Sequence, residues 1–227
     1  MLRRAPLWRR GRRRAADGLS ARRVPARHRG HEPARQERAA LSVPALQRGD
    51  RSGAGHGQEL RLTVLYVVAW PVLGEADDTA LRRLRAQYHP KEAGLIGPHF
   101  TLVFGAALDE ERRLRAALGT IDRRPFWFMI ERIARVEQYL FAEPFDGAAE
   151  LTELHDTLNS MSDQGPGAEP FQPHITLGLF QHFAEAEQVA RIVERQHLPM
   201  RGRVEELALL RRDGEALETL ATHRLGG

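Results

Sequence analysis

The pattern Pro-His-x-Thr-Leu occurs twice in this chain, in "GPHFTLVF" and in "QPHITLGLF", with the two histidines 75 residues apart. Both stretches are short, β-branched or aromatic, and read as strands. Side chains two apart on a strand share a face. His99 and Thr101 therefore point one way while Phe100 and Leu102 point the other, and His174 and Thr176 stand opposite Ile175 and Leu177. Pro98 and Pro173 sit where a strand begins, a place that tolerates a missing N–H. Each strand thus has an apolar face to pack and an imidazole with a hydroxyl left over. A chain that writes this twice is restricted to folds with two comparable halves.

The segments around the two strands follow one plan. "LRLTVLYVVAW" reads as a buried strand ending at Pro71, and "EADDTALRRLRAQYH" as an amphipathic helix with acids in its first turn, stopped by Pro90. After "HFTLVF" comes a helix, "DEERRLRAALGTI", with Asp109 as its expected N-cap and Gly119 near its end. "PFWFMIERIARV" and "QYLFAEP" are strands joined closely enough for a hairpin. The order then repeats in outline: helix "AAELTELHDTLNS", loop "DQGPGAEP", strand "HITLGLF", helix "AEAEQVARIVERQ", and two strands, "RVEELALLRR" and "EALETLATHR", around "DGE". Several connections are too short for parallel crossovers, so the expectation is an α+β domain of two sheet-and-helix lobes.

Charge divides the chain at about the same place as pattern does. Residues 1–58 hold 15 of the 33 arginines, four acids, and no Phe, Tyr or Lys, for a net charge of +11, whereas the remainder carries −7. The sequence pI of about 10.2 thus belongs to the N-terminal stretch and is no proof of a nucleic-acid-binding domain. That stretch lacks a sustained apolar period and has too little apolar surface to offset its ordering entropy. It is expected to be a disordered tail, or a reading frame begun too early, with 59–227 as the folded domain. A basic arm for RNA and a transit peptide are the competing readings. With no cysteine, the chain has no disulfide, thiolate nucleophile or Cys-ligated metal. Its most apolar stretch, "LTVLYVVAWPVLG", is shorter than the roughly 20 residues of a spanning helix, so no membrane partner and a cytoplasmic location are expected.

Two imidazoles facing one cleft can divide the work of breaking a bond, one neutral as general base and one protonated as general acid, because the ordinary histidine pKa is about 6.5. Two threonine hydroxyls can donate to phosphoryl oxygens. Such a set suits a reaction at phosphorus without a metal or cofactor. "PHFTLVF" and "PHITLGLF" resemble the paired motifs of the 2H phosphoesterase superfamily, in particular the bacterial 2′-5′ RNA ligase-like group, and the resemblance runs from about Glu59 to Leu225. It implies a bilobal α+β fold with pseudo-twofold symmetry around a central cleft. The implied activity is metal-independent cleavage of 2′,3′-cyclic phosphates or 2′-5′ phosphodiester bonds in RNA ends or small nucleotides. His99 and His174 are then the catalytic pair, and Thr101 and Thr176 hold the phosphate. The symmetry of the pair hides which ring is the base; the expectation taken forward is His174 as base and His99 as acid.

Tyr139 and Phe141 share a face of a strand that the resemblance places near the cleft, and with Phe171 they are candidates to stack on a base. Core packing accounts for them equally well. Lys91, Arg132 and Arg135 could meet a phosphate, although solvated surface charge is the ordinary role. His89, His155, His182 and His197 show no metal-ligand spacing. An RNA-end binding module without turnover is the alternative function, and a monomer is expected. Because every candidate residue follows Leu60, a chain beginning at Glu59 should fold and keep its turnover of a small cyclic nucleotide. A folded but inactive product in that assay would overturn the division.

Overall fold

The computed structural model describes residues 63–160 and 170–226. The Arg-rich stretch 1–58 and most of the loop 163–170 lie outside the described residues. The described chain runs β1 (Thr63–Leu73), α1 (Glu75–Tyr88), α2 (Pro90–Leu95), β2 (Phe100–Ala106), α3 (Glu111–Gly119), β3 (Phe126–Val136), β4 (Tyr139–Asp146), α4 (Ala148–Asn159), β5 (Ile175–Leu179), α5 (Phe183–His197), β6 (Met200–Asp213) and β7 (Ala216–Arg224). Among the described residues no helix is long and apolar enough to cross a membrane.

The seven strands form one sheet in the order β2-β1-β6-β3-β4-β5, with β7 also on β6, and every pairing is antiparallel. The long strand β6 joins the halves. Along one edge it follows β1, and along the other it pairs first with β3, through Met200–Val204, and then with β7, through Glu206–Asp213. The strands carrying the two His-x-Thr motifs therefore stand at opposite ends of the order.

One face of the sheet makes the main core. Leu65, Val67 and Ala69 of β1, Phe100 and Leu102 of β2, and Ile175 and Leu177 of β5 pack there with Leu114 and Leu118 of α3, Leu151 and Leu154 of α4, and Val189 and Val193 of α5. The helices supply these residues at three- and four-residue spacing, as an amphipathic face requires. A second, smaller cluster on the other face holds Val68, Ala208 and Leu210 with Tyr66, Trp70, Ile96 and Leu217 around it. Alternation along β1 divides its residues between the two.

Three local details differ from the sequence expectation. β1 runs through Pro71 to Leu73, because the proline sits at a register shift against β6 and beyond the last residue paired with β2, where a missing N–H is tolerated. Pro90 does not simply end α1; it opens the short helix α2 at its first turn. Asp109 does not cap α3. It lies in a 3₁₀ turn, Leu108–Glu110, and Glu110 is the residue preceding the helix, where it pairs with Arg113 at 2.5 Å.

Phe128 is fully buried and meets Phe100 edge to face, with ring centroids 5.1 Å apart. It also fills the space above Gly202 of β6, where a Cβ would lie 2.4 Å from the ring. Gly202→Ala should therefore destabilise the fold by about 1–3 kcal/mol through overpacking. The midpoint of urea unfolding measures this, and an unchanged midpoint would show that Phe128 does not hold that position.

Candidate active site

The main core takes Phe100 and Leu102 from β2 and Ile175 and Leu177 from β5, so alternation turns Thr101 and Thr176 to the opposite face, and His99 and His174 stand one residue before each strand rather than inside it as the sequence suggests. All four are partly exposed. The two histidines are held alike. Nδ1 of His99 lies 2.8 Å from the carbonyl oxygen of Gly97, and Nδ1 of His174 lies 2.9 Å from that of Gln172. A carbonyl can only accept, so each Nδ1 carries the proton and donates it. In the neutral ring this leaves Nε2 unprotonated at the far end of each imidazole. Each histidine also has an aromatic neighbour: Phe141 stacks on His174 with centroids 3.9 Å apart, and Trp70 meets His99 edge-on at 6.2 Å.

Strands at opposite ends of a sheet do not meet through their own ladder. Here α1, from the first half, packs against β5 of the second, with Tyr88 against Phe180 at 5.2 Å. Gly178 makes this approach possible, because a Cβ there would fall 2.7 Å from that of Tyr88. Arg85, only 2 % exposed, sits on the same helix. Its Nη1 donates to the carbonyl of Thr176 at 2.5 Å and its Nη2 to that of Ile96 at 3.0 Å, so one guanidinium joins the second motif to the segment leading into the first. From the other half, His155 and Asn159 of α4 donate to the carbonyl of Leu102 on β2 at 2.8 and 3.3 Å.

Burial pushes His99 down to about 4; its bond to the Gly97 carbonyl opposes this, and positive charge on Arg85 and His174 adds to it. Burial also pushes His174 down, against its bond to the Gln172 carbonyl. His89, one turn beyond Arg85, is lowered by burial and then by the Arg85 charge.

The 2′-5′ RNA ligase superfamily matches residues 73–216. The chain belongs to that superfamily. No curated protein matches its sequence. Among solved structures, Escherichia coli LigT complexed with NADP+ is similar with a TM-score of 0.52 at 19 % identity, covering 74 % of this chain and 99 % of LigT. LigT complexed with 3′-AMP gives 0.52 at 19 % identity, covering 73 % of this chain and 99 % of LigT. A structure described as a phosphoesterase gives 0.50 at 19 % identity, with 73 % and 99 % covered. At this identity the likeness concerns the fold, which is the α+β arrangement of 2H phosphoesterases.

Within this superfamily fold the remaining candidates are dispersed. Phe141 is 8 % exposed, with one neighbour in His174 and another in Tyr139, stacked at 5.7 Å. Phe171 stacks on His155 at 4.0 Å. Lys91 reaches Glu215 at 3.7 Å, Arg135 pairs with Glu187, and Arg132 pairs with Glu143. Glu143 is 4 % exposed and also accepts from Gln172 at 2.6 Å, which ties down the residue whose carbonyl holds His174. Sequence reasoning missed Arg85, Trp70 and Glu143. Only Arg85 left a signal, as a cation four residues after Leu81 on the apolar side of α1.

The depressed His99 pKa makes stability depend on pH. Between about 6.5 and about 4 the unfolded chain takes up a proton that the folded ring refuses, so stability should fall as the pH is lowered through that window. Melting temperature against pH tests this. In His99→Asn the slope between pH 4 and 6.5 should be shallower, and equal slopes would overturn the burial argument.

Proposed function

We propose that this protein is a 2H-type phosphoesterase that opens 2′,3′-cyclic phosphates or hydrolyses 2′-5′ phosphodiester bonds of RNA or small nucleotides, with His99 and His174 as the acid–base pair. The observation that carries this reading is the matched pair of Nδ1–H bonds to the carbonyls of Gly97 and Gln172. Each leaves Nε2 available for proton transfer, and superfamily membership supports the same use. Thr101 and Thr176, two residues after the rings, donate their hydroxyls to the non-bridging phosphoryl oxygens. Water attacks phosphorus while the base takes its proton; the bond from phosphorus to a ribose oxygen breaks, and the acid gives that oxygen a proton. Ligation uses the same pair with a ribose 5′-hydroxyl in place of water: that oxygen attacks the cyclic phosphate while the base takes its proton, the bond from phosphorus to the 3′ oxygen breaks, and the acid protonates that oxygen. The complexes of LigT with NADP+ and 3′-AMP support nucleotides as the substrate class.

The positive charge of Arg85 bears on His99 and disfavours its protonation, whereas burial is the only influence lowering His174. Burial is the largest influence on both rings and lowers both, so either ring can serve as base, and the direction of the reaction decides which one is the acid.

His99→Ala and His174→Ala should each lower turnover of a 2′,3′-cyclic mononucleotide by about 10²–10⁴-fold. The double variant should lose less than the product of the two, since the rings act as a unit. Turnover should survive exhaustive chelation. The pH profile of kcat/KM should be bell-shaped with its alkaline limb below pH 6.5, because both rings are lowered and the one serving as acid is lost as pH rises through its lowered pKa. A rate still rising at pH 8 would overturn the pairing, and binding without turnover would favour an RNA-end binding module.

A further inference from the structure

Arg85 is a buried cation without an anion. Among the described residues no carboxylate lies within salt-bridge distance of it. Glu92 exerts an electrostatic influence on it, but the Glu92 carboxylate is taken by Arg212, at 2.8 and 3.2 Å. Arg82 adds a second positive charge, and the Nε of Arg85 has no hydrogen-bond partner. Two carbonyl bonds satisfy part of the guanidinium and neutralise none of its charge. Burying an ion without an anion carries a desolvation cost that the two carbonyl bonds offset only in part. The two bonds explain a donor here but not a charge.

Its two bonds point to another role. One end holds the carbonyl of Thr176, inside the second motif, and the other holds that of Ile96, three residues before His99. Nothing in the sheet ladder connects these segments, which lie at opposite ends of the strand order. A lysine or glutamine could not reach both carbonyls with a planar fork, whereas arginine can.

We propose that Arg85 is the positioning residue of the site: it fixes the two motif segments relative to each other and supplies the uncompensated positive charge that a bound phosphate neutralises. The proposal rests on the phosphoesterase reading above and extends it to a buried residue bonded to the segments that carry the two histidines. An anion in the cleft completes the charge balance that the free protein lacks. Binding and catalysis thereby share one buried group.

The test compares wild type, Arg85→Met and Arg85→Lys by thermal melting, inorganic phosphate binding by calorimetry, turnover of a 2′,3′-cyclic mononucleotide, and NMR titration of His99. Met keeps the packed stem and removes the charge. Its melting temperature should fall, because the Thr176 and Ile96 carbonyls lose their donor, while phosphate affinity and kcat/KM each fall about tenfold or more. The His99 midpoint should move up, since the Arg85 charge no longer opposes its proton; His174, Glu92 and the Gly97 carbonyl are the other groups bearing on that ring. Lys should recover phosphate affinity better than it recovers kcat, because it restores charge without the two-carbonyl fork. A folded Met variant with wild-type phosphate affinity and an unmoved His99 midpoint would overturn the proposal. Should that variant fail to fold, wild-type kcat and phosphate affinity in the Lys variant would do the same. If wild type binds phosphate but turns over no cyclic or 2′-5′ substrate, the reaction assignment fails. The phosphate and NMR measurements then decide the role of Arg85 by themselves.

Discussion

The edges of this sheet are where the candidate chemistry sits, and an edge strand has carbonyls with no ladder partner. The fold satisfies them reciprocally. α1 of the first half sends Arg85 to the Thr176 carbonyl on β5, and α4 of the second half sends His155 and Asn159 to the Leu102 carbonyl on β2. Each half closes the exposed edge of the other. These bonds link an element of each half to the His-x-Thr strand of the other.

This arrangement explains the electrostatics of the site. Both imidazoles enter surroundings that oppose their charge, and His99 also faces a guanidinium that cannot lose its proton at ordinary pH. Two suppressed cations and one obligatory cation are the physical basis for proposing an anion at this site. The hydrogen bonds at Nδ1 then settle orientation: each ring is pinned by the carbonyl two residues before it, a local device that a Gly-Pro-His or Gln-Pro-His segment makes within its own turn.

Much of the element order was legible because the signals were strong and local. Helices α4 and α5 and strand β7 fall within a residue or two of expectation, while β6 begins three residues earlier than its apolar period suggests. Boundaries failed where tertiary pairing overrode a local signal. Pro71 reads as a strand end, yet β6 continues the ladder past it through a register shift. Asp109 reads as a cap, yet the chain first makes a 3₁₀ turn. The aromatics were visible as residues but not as contacts: Phe141 lies against His174, and Phe171 lies against His155 rather than beside the motif that follows it.

By itself, the sequence determined that two strands each turn a threonine away from the core, with a histidine two residues before it, because strand periodicity is a local property that two residues suffice to express. It also determined that the chain has an antiparallel α+β plan, since short connections permit little else. Tertiary structure alone decided that strands at opposite ends of the sheet are linked through helices of the opposite halves. It also decided that Arg85 joins them and that Glu143 fastens Gln172. Those contacts span 91 and 29 residues, and no local period records which distant carbonyl or amide a buried charge will meet.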